Sequence, residues 1–559
     1  MKFDRKVRKM LLFLLLLIIL SLVATGVIMS KFMNEAKEAS VKEDGPWFFQ
    51  QSLKTGETVI LENVCFVSSK EKKITFVHKN EIYTIEGMVT EPLYGVGDMV
   101  IDGGSVTKIQ LKPDSKIGVL SSYTEHTLTL DGANELKRNA DVPVYKSMGD
   151  HVEQTDWGAF VIGVSKIKCI LQEGQVCAIL LEEDTVPQDV RVVIKNGDSL
   201  FYSDICIKKQ STQEVISAKA QMQAQNTTTL ELQDEQGLFL CDENGTTKGS
   251  AYFGSFRILQ TEEGFVLINT VDMETYLKHV LPSEMPSSFE IEALKAQAVC
   301  ARTYAYAQMH NTSYAQYGAN MDDSTSFQVY HKQVPSEKTN VAVEETKGEV
   351  VSCNGALITC YYYSTSAGVT NDLSVWGTDD RAYISVMGLE TTNQLQLSQN
   401  SDFSKYIRNT YDCYDTQSPY YRWQAKLDIS QVKNAQKGHL QSLEIQKRNN
   451  AGYITKLLLH YENGQETLVK EGEIRNQLGK YLSEIVLSNE AVRTDFSVLP
   501  SACFEVLHVE NGMITLQGGG FGHGIGLSQY GANAMAKKGF GYKDIVKYYY
   551  SNVTVKKIE

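Results

Sequence analysis

Met10 to Ser30 is a run of 21 residues without a charged side chain, and Leu11 to Leu20 is unbroken apolar chain. A helix of that length spans about 30 Å of hydrocarbon. Lys2, Arg5, Lys6, Arg8 and Lys9 precede it against a single Asp4. The positive-inside rule then keeps the N-terminus cytoplasmic and puts everything after Lys31 on the far side of the membrane. The run is long for the apolar part of a signal peptide, and no small-x-small cleavage site follows it. An uncleaved signal anchor is therefore expected, with one membrane pass and an extracytoplasmic bulk.

That bulk has the composition of a folded protein. Of 559 residues, 42% are hydrophobic and 22% charged, and 54 Lys and Arg against 67 Asp and Glu leave a net charge of −13. The acidic balance argues against sequence-independent nucleic-acid binding, which needs basic patches over phosphates. The ten cysteines contain no Cys-x-x-Cys and do not read as a disulfide framework or a zinc ribbon. Asn354-Gly355 is a two-residue hairpin signal that sets Cys353 opposite Ala356, away from Cys360. A three-residue loop at Gln172-Glu173-Gly174 would set Cys169 face to face with Cys177 and allow a bridge. Buried free thiols are expected for most of the others.

The order of patterns predicts an α+β chain. Residues 1–45 form a cytoplasmic stub, the anchor and a polar linker. Residues 46–188 read as an all-β accessory region, one or two small barrels, from β-branched stretches such as Thr58 to Val67 separated by turn residues. Residues 189–559 form a β-rich α+β unit with one long central helix. Ser287-x-x-Glu290 reads as a capping box with Ser287 as N-cap, and Leu294, Ala298, Ala301 and Ala305 recur at helical spacing to about Met309. Two short helices are expected near the end, at about Gln529 to Lys537 and Lys543 to Tyr550.

Several segments carry candidate chemistry. Glu284 stands in Glu284-Met285-Pro286 among apolar neighbours, and Glu290 and Glu292 are weaker acids of the same stretch. His523 sits between glycines that let backbone approach a ligand. Trp376, Tyr420, Tyr421, Trp423, Gln529 and Tyr530 offer ring faces and polar tips of the kind that stack on sugars. Arg302 and Tyr304 lie on the long helix, where Arg302 either contacts a ligand or pairs structurally with a carboxylate. The glycines around His523 lack the Gly-Lys-Ser/Thr ending of a phosphate loop, and Ser528 lacks the context of a nucleophilic serine.

Tyr276 to Tyr306, YLKHVLPSEMPSSFEIEALKAQAVCARTYAY, resembles the central signature of the SpoIID/LytB family. Three further blocks follow in the family's order: Tyr361 to Gly377, Ser418 to Trp423, and Gly519 to Gly539; a weaker start lies at Val190. The resemblance runs from Asp189 to Ile558 and leaves the N-terminal β region without support. It implies a lytic transglycosylase that cuts peptidoglycan glycan between N-acetylmuramic acid and N-acetylglucosamine and leaves a 1,6-anhydro end, with the Glu of Glu-Met-Pro as acid. That residue is Glu284. The other candidates, His523, Gln529, Tyr530, Trp376, Tyr421, Trp423 and Arg302, are expected to bind substrate. The resemblance also implies a preference for strands stripped of stem peptides, hence cooperation with a cell-wall amidase, in sporulation or wall remodelling. Relatives described as amidase enhancers imply a second, non-catalytic reading as a peptidoglycan-binding protein. No cofactor is expected. Some members hold zinc near the stretch that is Met321 to Gln328 here, but MDDSTSFQ has no Cys or His and His331 stands alone, too few ligands for zinc.

One acid is physically sufficient for such a reaction. Glycosidases ordinarily use two carboxylates, but here the sugar's own 6-hydroxyl is the nucleophile, so no water need be activated. The acid must start protonated, which calls for an apolar setting. The dipole of a helix beginning just after Glu284 is expected to oppose that by favouring the carboxylate.

Overall fold

A computed structural model describes residues 55–377 and 396–558, apart from 71–72, 87–92, 133, 149–150, 184–185 and 431–432, together with Phe48 and Ser52. The Met10 to Ser30 run lies outside the described residues. Among those described, no helix is long and apolar enough to cross a membrane. The chain divides into two compact units at Thr185/Val186.

Among the described residues the first unit is built mainly of strands. One sheet has five strands and the other seven. Among the described residues the five-stranded sheet stays open, while in the seven-stranded one a parallel bridge from Arg138 to Val176 brings the end of strand Asn134–Lys137 back to strand Gln175–Glu183 and closes five of its strands into a small barrel. Alternation is the reason for the fold: in Lys73–His78 the apolar Ile74 and Phe76 point into one core with Phe48, Phe66 and Met99. The opposite face, with Cys65, Val77 and Val96, meets Tyr145, Val152, Ile170 and Ala178 of the second sheet. The Cys169–Cys177 expectation fails here. The turn holds two residues, Glu173 and Gly174, both at positive φ, and a bulge after Ile170 sets Cys169 opposite Ile179. By contrast, Asn354 and Gly355 form the tight turn read from sequence, with Cys353 paired to Ala356.

The second unit is β-rich α+β. Strand Asp189–Ile194 pairs with Phe265–Asp272 inside a five-stranded sheet whose edge is the short Met321–Asp322. Its helices are α1 (Ala218–Gln225), α2 (Met273–Glu284), α3 (Ile291–Gln308) and α4 (Glu337–Glu345), followed by α5 (Asn400–Ile407), α6 (Glu471–Gly479), α7 (Gln529–Lys537) and α8 (Tyr542–Tyr549). The last two match the sequence reading closely. A second lobe packs a five-stranded sheet around Trp423–Asp428 against a four-stranded one through Trp423, Leu427, Leu440, Leu457 and Ile485.

Helix α3 is the axis of the unit. Every residue from Ala296 to Tyr306 is buried, the polar Gln297, Arg302 and Thr303 included, so it is a helix enclosed by neighbours on all faces. Its alanines leave room for α4 and α7. Its start differs from the capping-box expectation. Glu290, not Ser287, is the N-cap, without a side-chain cap bond, and its N–H donates to Asn533 Oδ1 at 2.8 Å. The reason is a separate helix just upstream. Asp272 caps α2 by accepting from Thr275 N–H at 3.1 Å. Pro286 then drives Met285 to extended backbone, φ −129° and ψ 136°, because the proline ring crowds an α-conformation in the residue before it. The helix therefore ends on Glu284.

Candidate functional site

This termination reverses one electrostatic expectation. Glu284 lies at the C-terminal end of α2, where the helix dipole is negative and disfavours a carboxylate. The side chain keeps a partly exposed edge yet is otherwise densely ringed by protein. Burial pushes its pKa up to about 7, against hydrogen bonds from the Val329 N–H and the Tyr362 hydroxyl, which pull the other way. The Val329 N–H donates to Oε1 at 2.6 Å. Desolvation thus outweighs two donors, the balance a general acid needs near neutral pH.

The loop carrying Val329 is clamped to the end of α2. Ser283 Oγ donates to the His279 carbonyl at 2.7 Å and accepts from the Lys332 and Gln333 N–H groups, each at 3.1 Å. The His279 and His331 rings stack with centroids 4.4 Å apart, and Tyr252 stacks on the other face of His331 at 3.8 Å. Burial, then the neighbouring His331, pushes His279 down to about 3, so it stays neutral. Behind Glu284, fully buried Gln328 joins three elements. Its Nε2 donates to the Ala301 carbonyl and to the Tyr362 hydroxyl, and its Oε1 accepts from Tyr276.

The other candidates from sequence fall into two groups. His523, Trp376 and Tyr530 are half-buried. His523 Nε2–H donates to the Tyr362 carbonyl at 3.0 Å and its Nδ1 accepts from Ile525 N–H at 3.1 Å. Both ring nitrogens are occupied, and burial pushes its pKa down to about 3. It therefore orients the Tyr362 strand and has no nitrogen left to exchange protons with substrate. Nitrogen NMR should accordingly find the neutral Nε2–H tautomer down to pH of about 4; an imidazolium already present at pH of about 6 would remove this assignment. Trp376 packs edge-on to Tyr361 at 4.8 Å and lies 5.2 Å from His523, and Tyr530 meets Phe289 edge-on at 5.1 Å.

Gln529, Tyr421, Trp423 and Arg302 are interior, which corrects the expectation that they bind substrate. Trp423 is 1% exposed and gives its indole N–H to the Gly520 carbonyl at 2.9 Å. Tyr421 is 2% exposed under the Arg422 guanidinium, 4.0 Å from its ring. Gln529 is buried as the first residue of α7. Arg302 is 0% exposed and holds Glu274 with both ends of its fork, at 2.9 and 2.6 Å. It also donates to the Glu349 and Val343 carbonyls.

Sequence reasoning did not single out Tyr362 or give Gln328 a role. Tyr362 is the middle of three successive tyrosines; its hydroxyl meets Gln328, while the rings of Tyr361 and Tyr363 lie beside His523. Tyr362–Tyr363 pairs in parallel with Leu527–Ser528, a close approach that requires Gly526, where a side chain would strike the Tyr361 carbonyl. Among the described residues, no group of three or more His, Cys, Asp or Glu is placed to hold a metal.

Residues 261–352 match the family described as Stage II sporulation protein, and residues 371–526 match a domain of unknown function (DUF8618). An amidase enhancer of Bacillus subtilis is 27% identical over 80% of this chain, and the match spans 65% of that relative, just under two thirds of its length. Stage II sporulation protein D of Bacillus subtilis is 29% identical over 52% of this chain and 75% of its own. The same-named protein of Bacillus amyloliquefaciens is 28% identical over the same shares. The ordered motif blocks, the domain that contains Glu284 and these relatives agree: the chain belongs to the SpoIID/LytB family.

Proposed function

We propose that this protein is a cell-wall enzyme that cleaves peptidoglycan glycan strands without water, using Glu284 first as acid and then as base. The observation that carries the reading is a carboxyl at the end of α2 whose burial holds its pKa near neutrality, beside a solvent-facing edge. The neutral acid protonates the glycosidic oxygen between N-acetylmuramic acid and N-acetylglucosamine. That bond breaks with oxocarbenium character at C1. The carboxylate then takes the proton of the C6 hydroxyl, O6 bonds to C1, and the 1,6-anhydro ring closes with the acid regenerated. No second carboxylate and no metal is needed. The uncharged Met10 to Ser30 run would tether the enzyme to the membrane beside its polymer, with the bulk outside. The net charge of −13 gives no general attraction to an anionic wall, so recognition falls to the site itself.

The name of the amidase enhancer relative, which aligns with 80% of this chain, supports a second reading, a non-catalytic partner of an amidase. The two readings separate on glycan already stripped of stem peptides. The enzyme releases soluble fragments from it with no amidase present. An enhancer releases none, and only speeds an added amidase on intact wall.

A further inference from the structure

The hydrogen bonds behind Glu284 run in a fixed direction. The Ala301 carbonyl can only accept, and it lies 3.1 Å from Gln328 Nε2, so the amide must present its nitrogen there. Its oxygen then accepts from the Tyr276 hydroxyl at 3.2 Å. The remaining amide N–H donates to the Tyr362 phenol oxygen at 3.0 Å. A phenol that accepts from this side has its own O–H to give, and the acceptor nearby is the Glu284 carboxyl, which the N–H of Val329, the residue next to Gln328, holds at 2.6 Å; the hydroxyl's pull on the Glu284 pKa agrees with this. Gln328 is fully buried and Tyr362 is packed beside Tyr276 and Tyr304, so the arrangement has no room to reverse.

We infer that Tyr362, aimed by Gln328, is a positioning residue for the Glu284 proton: with the Val329 N–H it surrounds the carboxyl with donors alone, so the proton of the neutral acid finds no taker in the protein and is left for the bound substrate. The inference rests on the reading of Glu284 as the acid. The same donors then receive the carboxylate once the proton has gone, so the strand Tyr362–Tyr363 serves both halves of the reaction. The titratable groups facing Glu284 are Tyr276 from α2, Tyr304 from α3 and Tyr362 itself, phenols that burial keeps protonated. Asp322 and Asp323 act at one remove, on Tyr304 and Tyr276.

The test compares three variants of the full chain. Tyr362→Phe keeps the ring and removes the donor. Because the acid form must be protonated, activity falls as pH rises through the Glu284 pKa. Losing a donor to the carboxylate should move that falling limb upward by roughly one to two pH units. Gln328→Glu cannot donate to both Ala301 and Tyr362; it accepts from Tyr362, turns the hydroxyl away, and should give the same shift. Gln328→Met leaves Tyr362 free to donate to Glu284 and should shift little. A direct titration, the protonated-carboxyl infrared band present in wild type and absent in Glu284→Gln, should move in step. An unmoved band in Tyr362→Phe overturns the inference, as does a loss of rate equal at all pH values. If wild type makes no anhydro ends at all, the catalytic reading falls while the infrared titration still decides the Tyr362 contact.

Discussion

Glu284→Gln is expected to lower release of anhydro-ended glycan by about a hundred- to ten-thousand-fold, the usual worth of a positioned general acid, while making the protein more stable above neutral pH. The sign follows from the direction of the shift. Burial raises this carboxyl from 4.5 to about 7 in the folded chain, so between those values the native state holds a proton that the unfolded state has released. Stability contributed by the neutral acid is therefore complete below about 4.5 and falls as pH rises through about 7. Above that, a buried carboxylate costs the fold roughly 2–3 kcal/mol, tempered by the exposed edge. Glutamine carries no charge, so thermal unfolding of the variant should exceed wild type at pH of about 8 and match it at pH of about 4. A variant destabilised equally at both values would mean that Glu284 is a packing residue. A stable variant with full activity would remove it from the mechanism.

Arg302→Ala is expected to cost about 3–5 kcal/mol of stability, because it strands Glu274 as an uncompensated charge in a tight interior. Arg302 binds α3 to α2 through Glu274, and to α4 and strand Glu349–Cys353 through the Val343 and Glu349 carbonyls. The Glu274 carboxylate also accepts from Gly348 N–H at 3.1 Å. The ion pair thus fixes the helix whose last residue is Glu284. Lysine is a poor replacement, since one ammonium cannot match a fork that bonds both carboxylate oxygens and two carbonyls. Denaturant unfolding should show the loss for Arg302→Ala and a smaller one for Arg302→Lys. Activity of the folded fraction should drop through the turnover number rather than through substrate affinity. An unchanged midpoint with weakened glycan binding would return Arg302 to the substrate.

What the sequence made legible is what depends on near neighbours. Asn354-Gly355 dictated its turn, alternation dictated the strands of the first unit, and the small-residue stripe from Leu294 to Ala305 announced a helix that others approach closely. The motif around Glu284 drew attention to the acid, but its surroundings were not readable. Val329 is 45 residues away, and Gln328 meets Tyr362 across 34. The separate helix α2 is hard to see in the sequence because it carries Pro282 inside it, while Pro286 fixes Met285 in extended backbone and so ends the helix on Glu284. Without α2, the acid reads as lying at the wrong end of a helix dipole. Tyr421 and Trp423 show the opposite failure. An aromatic with a polar tip can as well be a core residue that satisfies its N–H or O–H internally, and only burial tells the two apart.

The most direct measurement is digestion of peptide-stripped glycan by the purified protein in heavy-oxygen water, with the new ends read by mass spectrometry. Intramolecular attack by the C6 hydroxyl predicts anhydromuramic ends, lighter than hydrolysed ends by one water and free of solvent oxygen, and their disappearance in Glu284→Gln. Heavy oxygen at the new reducing ends, or undiminished cleavage by Glu284→Gln, would contradict it.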